Sequence, residues 1–237
     1  MQVDGFLISV SEETKDIDHF KEIKKQNIPL VFFDRSADGI DASSVTVDDE
    51  GGAYNATTHA LKNGAQKIVH IGGYSHVTIG NDRRKGYERA LKDHGIQPRD
   101  DWVIEGGFGE ADGYRGATTM IERGIIPDAI FAVTFPVALG IDDALKERTP
   151  SIRENVHIYS FGQHGLNRFF EHPHTSIHQP AGELGSKAMS LLLDQINGRN
   201  SEPQQIQLST EIVDSWESHP PYYLDAPSEA SAPPPTS

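Results

Sequence analysis

Short runs of β-branched and aromatic residues alternate along this chain with longer segments whose apolar positions recur every three or four residues. Gly5-Phe6-Leu7-Ile8-Ser9 reads as a first strand, and Ile17, Phe20 and Ile23 mark a helical face that Asn27 and Pro29 end. Leu30-Val31-Phe32-Phe33 and Val45-Thr46-Val47 are buried strands. Asp48 and Asp49 then offer N-cap oxygens to a helix carrying Ala53, Ala56, Ala60 and Leu61, and Gly64 stands where a left-handed C-cap is needed.

The same rhythm continues. Lys67 to Ile71 is a strand running into Gly72-Gly73, followed by a helix with Tyr87, Ala90 and Leu91 on one face. Trp102-Val103-Ile104 is a strand, and Asp112 is expected to cap a helix bearing Tyr114, Ala117, Met120 and Ile121. After the strand Ala129 to Val133, Pro136 suits the first turn of a helix with Val137, Ile141, Ala144 and Leu145. Val156 to Tyr159 is a strand, Pro180 opens a last helix with Leu184, Ala188, Leu191, Leu192 and Ile196, and Gln205 to Val213 reads as one closing strand. Alternation of this kind predicts an α/β fold with mostly parallel, doubly wound sheet covered on both faces. Ligands in such folds lie beyond the carboxyl ends of strands. Attention therefore falls on Ser9 and Val10, Asp34 and Arg35, Gly72 to His76, Thr134 and Phe135, and Phe161 to His164. From His219 onward, six prolines among Ser and Ala leave no apolar period, and residues 219–237 are expected to be a disordered tail.

Composition narrows the function. The 237 residues suit one domain or two small lobes, and the absence of cysteine removes disulfides, thiolate metal sites and thiol nucleophiles. With 21 Lys and Arg against 35 Asp and Glu, the formal net charge is -14, a surface that repels polyphosphate. The one dense basic cluster, Arg83-Arg84-Lys85, is too small for a nucleic-acid stripe. No secretory signal and no apolar stretch of transmembrane length is visible, so a cytoplasmic protein without membrane contact is expected. Catalytic signatures are missing as well. There is no G-x-S-x-G elbow and no Walker A run, and Gly106-Gly107-Phe108-Gly109 lacks dinucleotide-fingerprint spacing. His164, His172, His174 and His178 cluster in sequence, but Pro173 interrupts them and no H-E-x-x-H pattern forms. Neither an enzyme, a cofactor nor a metal site is expected.

The order of short motifs is more specific than any one of them. Val3-Asp4-Gly5-Phe6-Leu7-Ile8 precedes Ile28 to Arg35; Val45-Thr46-Val47-Asp48-Asp49 leads to Gly51-Gly52-Ala53 and to Lys67 to Gly73. Arg83 to Leu91, Pro127 to Val133, Ala138-Leu139-Gly140, Thr175 to Pro180 and Leu184-Gly185 follow in turn. In this order and spacing the chain resembles the effector domain of the lac/galactose repressor family across residues 3–217. The resemblance implies two periplasmic-binding-protein-like lobes. Lobe one would comprise residues 1–72 and 178–200, and lobe two residues 73–177 and 201–218. It further implies a sugar-like or nucleobase effector held between the lobes, a homodimer, and DNA binding through a helix-turn-helix head. Against the family pattern, that head and the first two strand–helix units of lobe one are expected to be missing from this sequence. A stand-alone sugar-binding protein and an inactive truncated fragment are the alternatives.

Site residues follow from the same resemblance. Arg83 stands three residues before Gly86, where the family places an arginine that reaches the ligand with its guanidinium fork. Thr134 and Phe135 occupy the place of the family's usual Asn-Asp, and Phe161-Gly162-Gln163 the place of Phe-Asp-Asp. Two orienting carboxylates are thus replaced, leaving Phe135 either to stack on a sugar face or to pack in the core, and Gln163 to hydrogen-bond. Ser9 completes the expected set from lobe one, while Asp34 and Arg35 are expected to pair with each other at the surface.

Overall fold

Strand β1 (Phe6–Ile8) is followed by helix α1 (Asp18–Lys25), β2 (Leu30–Phe33), β3 (Ser43–Val47), α2 (Asp49–Lys62), β4 (Ile68–Gly72) and α3 (Thr78–Asp93). Then come β5 (Val103–Glu105), α4 (Glu110–Glu122), β6 (Ala129–Ala132), α5 (Phe135–Arg148) and the short α6 (Pro150–Arg153). The chain closes with β7 (His157–Gly162), β8 (His174–His178), α7 (Ala181–Ile196), β9 (Gln205–Leu208) and β10 (Glu211–Asp214). The computed structural model describes residues 3–14, 16–162, 164–170, 174–199 and 202–214. Gln163, His172 and residues 219–237 therefore lie outside the described residues.

Helix ends obey local chemistry. Asp48 caps α2 by accepting the Gly51 amide at 2.8 Å, and Thr134 caps α5 with Pro136 in the first turn. Gly64, Gly95 and Gly124 each take positive φ just past a helix, as left-handed C-caps require. Asp112 is not itself the cap of α4: it lies within the first turn and accepts the Gly109 amide at 3.0 Å, with Gly109 at the cap position.

Two sheets form. The first has the order β1-β2-β3-β9, parallel throughout; the second has the order β10-β8-β7-β6-β4-β5, parallel except for the antiparallel β10. One face of the larger sheet packs Val69, Ile71, Ile130 and Ala132 against Ala117, Met120, Val137 and Ile141 of α4 and α5. The other face packs Ile68, Phe131, Tyr159 and Phe161 against Ala53, Ala56, Tyr87 and Leu91 of α2 and α3. In the smaller sheet, α7 covers Val31, Val45 and Val47 with Leu184, Ala188 and Leu192, and Phe20 of α1 closes the opposite face over Leu30 and Phe32. Each large side chain buried this way contributes about 1.5–3 kcal/mol. Among the described residues no helix is long and apolar enough to cross a membrane.

The sheets redraw the lobes expected from sequence. Residues 49–72 were expected in lobe one, yet α2 packs in the core of the larger sheet and β4 is one of its inner strands. The expected closing strand is two strands: β9 joins the smaller sheet beside β3, and β10 joins the larger one beside β8. Apolar periodicity marks a strand but carries no record of its partner, because pairing is set by contacts far away in sequence. The chain consequently crosses between sheets after β3, after β8 and after β9. Two of these crossings are tied together where the Asp48 amide donates to the Leu208 carbonyl at 2.8 Å.

Candidate ligand site between the two sheets

The carboxyl ends of β1 and β2 face the β4–α3 turn of the larger sheet. Between them lies a cavity of about 240 Å³, lined on one side by Val10, Ser11, Glu12, Arg35 and Asp38 and on the other by His76, Val77, Thr78 and Ile79. Hydroxyls, two carboxylates, one guanidinium and an imidazole share this space with aliphatic side chains. Opposite charges are matched within it: Arg35 Nη1 lies 4.0 Å from Glu12 Oε2. The same guanidinium sits 5.5 Å from the ring centre of Phe108, so a side chain of the smaller lobe touches an aromatic ring of the larger one. Phe108 meets Tyr74 edge-on at 6.0 Å, and Tyr74 stacks on His76 at 5.4 Å. Tyr74 remains 38% exposed, an unusual state for so large a ring.

The residues expected from sequence occupy different ground. Arg83 is 3% exposed. Its Nε and Nη2 donate to the same Asp49 oxygen at 2.8 and 2.6 Å, Nη1 donates to the Val133 carbonyl, and the guanidinium lies 3.6 Å above the Phe161 ring. Burial pushes the Asp49 carboxyl above the usual carboxylate range, against the pull of Arg83, and the Asp34 and Asp82 charges add to the rise. Thr134 Oγ1 accepts the Val137 amide and donates to the Phe108 carbonyl at 2.8 Å, fixing the loop that carries the Phe108 ring. Phe135 is buried, edge-on to Phe170 at 5.6 Å and to His174 at 6.1 Å. Phe161 is buried beneath Arg83. Ser9 is exposed, with Oγ 3.5 Å from Asp34 Oδ2, and Gln163 lies outside the described residues. Arg35 pairs with Glu12 rather than with Asp34.

Two of the sequence departures prove to be one packing event. A Cβ on Gly162 would stand 2.9 Å from the Phe135 Cβ, so the side chain at 135, beginning with its Cβ, crowds the space a side chain at 162 would need. Arg83 draws its carboxylate from Asp49 instead, at the start of α2. The arginine, the threonine and both phenylalanines thus lie at the strand ends of the larger sheet with their polar groups satisfied by Asp49 and by backbone groups, and none lines the cavity. Arg35, Tyr74 and Phe108 form the contact that sequence reasoning missed. The available signal was Gly73, whose Cβ would lie 2.2 Å from the Phe108 ring and which therefore marks a close approach.

Below this layer, a second polar set anchors the loop after β7. His174 Nδ1 lies 2.8 Å from Asn167 Oδ1 and Nε2 lies 2.9 Å from Ser160 Oγ, while Ser176 Oγ donates to the same Asn167 oxygen. Burial, with His157 nearby, pushes His174 down to about 3. Among the described residues no group of three or more His, Asp and Glu side chains is placed to hold a metal ion.

The strand order, the three crossings and the interlobe cavity coincide with a sequence match over residues 57–214 to the family described as periplasmic binding protein-like domain. The chain belongs to that family. This periplasmic binding protein-like domain is 30% identical over 214 residues to the HTH-type transcriptional repressor PurR of Actinobacillus pleuropneumoniae, a match covering 90% of this chain and 63% of that protein. It superposes with TM-score 0.81 on the transcriptional regulator CelR solved with cellobiose, at 25% identity over 90% of this chain and 65% of that one. It superposes with TM-score 0.76 on a LacI family regulator from Enterococcus faecium solved with ribose, at 27% identity over 89% of this chain and 78% of that one. The domain is thus of the kind that LacI-family regulators use, and it spans 63% of the length of the curated PurR relative.

Proposed function

We propose that this periplasmic binding protein-like domain is the ligand-sensing part of a LacI-type transcription regulator, and that it takes a small, neutral, polyhydroxylated effector between its lobes. Support comes chiefly from the interlobe cavity, to which both lobes contribute hydrogen-bonding groups. Glu12 and Asp38 accept from hydroxyls, while Arg35, Ser11, Thr78 and His76 donate to them. The Arg35–Glu12 pair leaves the walls without a strong net charge, which favours a ligand that has none. The partly exposed ring of Tyr74, stacked on the cavity residue His76, is an aromatic surface of the kind that suits the apolar face of a sugar ring. The relatives solved with cellobiose and ribose accord with that chemistry.

Binding acts by population shift: a ligand touching both walls favours the closed arrangement by its extra contacts there. In this reading the protein works in the cytoplasm as a homodimer, and lobe closure alters how a helix-turn-helix segment meets DNA. The test is a thermal melt of the chain with a panel of neutral sugars, sugar phosphates, sugar acids and nucleobases. A ligand bound by the native state alone adds about 2.7 kcal/mol at a hundredfold excess over its Kd. A cooperative transition that rises with a neutral sugar supports the reading, and one that rises only with a nucleobase or an anionic ligand overturns the effector class.

A further inference from the structure

His70, on β4, is fully buried, stacked on Phe131 at 4.7 Å and beside Tyr87 at 5.3 Å. Its Nδ1 lies 2.9 Å from the Phe131 carbonyl oxygen. A carbonyl only accepts, so Nδ1 carries the proton of the neutral ring. Burial keeps the ring neutral by pushing its pKa down to about 4. Nε2 is then a bare acceptor, and no protein group within the described residues reaches it. A buried acceptor in this state costs roughly 1–3 kcal/mol unless something donates to it.

The space in front of Nε2 is a cavity of about 10 Å³ lined by His70, Gly72, Gly73, Gly80, Ser75, Arg84, Val103 and Glu105. That volume is about one water molecule's worth of room. Its walls supply both kinds of partner: Arg84 donates and Glu105 accepts. Glycines keep it open, since a Cβ on Gly72 would stand 2.8 Å from His70 Nε2 itself. The roof is the β4–α3 turn, held where the Ser75 amide and Oγ donate to Glu105 Oε1 at 3.1 and 3.2 Å.

We infer that this pocket is an internal hydration site for a single water, which donates to His70 Nε2 and to Glu105 and accepts from Arg84. Apolar cavities stay dry, whereas one offering three polar partners binds water tightly. The site lies at the root of the turn that carries Tyr74, His76 and Val77 to the interlobe cavity, so the bound water fixes that turn to the core of the larger sheet. The inference does not depend on the effector.

A crystal structure of the full chain at a resolution that shows ordered solvent tests it directly. One peak within hydrogen-bonding distance of Nε2 and of Arg84 or Glu105 is expected; a Nε2 facing empty density overturns the inference. Gly72→Ala should remove the peak and lower Tm. Should that variant fail to fold, imidazole nitrogen NMR on the unaltered chain decides: a protonated Nδ1 with a hydrogen-bonded Nε2 is expected. A Nε2 with the shift of a free lone pair overturns the inference.

Discussion

Arg83 and Asp49 meet through two hydrogen bonds to a single carboxylate oxygen, at 2.8 and 2.6 Å, with both side chains almost wholly out of water. Neither charge is solvated, so each depends on the other. Removing one partner of such a pair costs about 3–5 kcal/mol because the survivor is left buried and uncompensated. Arg83→Ala should lose stability in that range, read as a fall in the urea midpoint. Asp49→Asn should cost as much, since an amide oxygen still accepts from the fork but leaves the buried Arg83 charge unpaired. Small losses for both variants would mean that the pair is solvated in solution.

Phe135 and Gly162 should be coupled. Gly162→Asp drives a side chain against the Phe135 Cβ and should destabilise by about 1–3 kcal/mol. In a Phe135→Gly background, which removes the obstructing Cβ as well as the ring, the same substitution should cost much less. The double-mutant cycle should therefore return a coupling of about 0.5–3 kcal/mol. Additive effects would separate the two positions.

Stability should fall on acidification from neutrality. His70 and His174 have folded-state values of about 4 and about 3, both below the ordinary 6.5. Below pH 6.5 the unfolded chain takes up protons that the folded chain refuses, so stability present above that pH is lost progressively toward the folded values. Each histidine contributes a slope of up to about 1.4 kcal/mol per pH unit. Asp49, whose carboxyl is raised, acts with the opposite sign at the acidic end of the range. Urea unfolding at pH 7, 6 and 5 checks this; a flat profile would show that both rings titrate freely.

Arg35→Ala separates sensing from folding. The pair with Glu12 and the contact with Phe108 are partly exposed and contribute about 1 kcal/mol or less. The melt without ligand should barely move, while the upward shift produced by the effector should shrink strongly. An unchanged effector shift would remove Arg35 from the site.

Much of this was legible in the chain. Strands such as Leu30–Phe33 and Ala129–Ala132 announce themselves because both faces are buried, and caps such as Asp48 and Gly64 act through neighbours a few residues away. Lobe membership was not legible. Nothing in Ile68–Gly72 distinguishes a strand that pairs with Ala129–Ala132 from one that pairs with β3. The cavity's lining was not legible, for a related reason. Arg83 could be placed by motif, but its capture by Asp49, 34 positions earlier, is a tertiary event. Likewise the approach of Arg35 to Phe108 depends on how two sheets face each other.

The interleaving of the two sheets has a consequence for biosynthesis. Strand β3 pairs along one edge with β9, and Ser44 finds its hydrogen-bond partner in Gln205, 161 residues later. At roughly 5–20 residues per second of synthesis, that edge waits many seconds for its partner while every strand of the larger sheet but β10 is being made. Contacts this distant place the smaller lobe at the slow end of folding, since loop closure must precede its reward. The nascent lobe therefore presents an open edge of Ser, Val and Thr to its surroundings until β9 arrives, and chaperone demand should concentrate there.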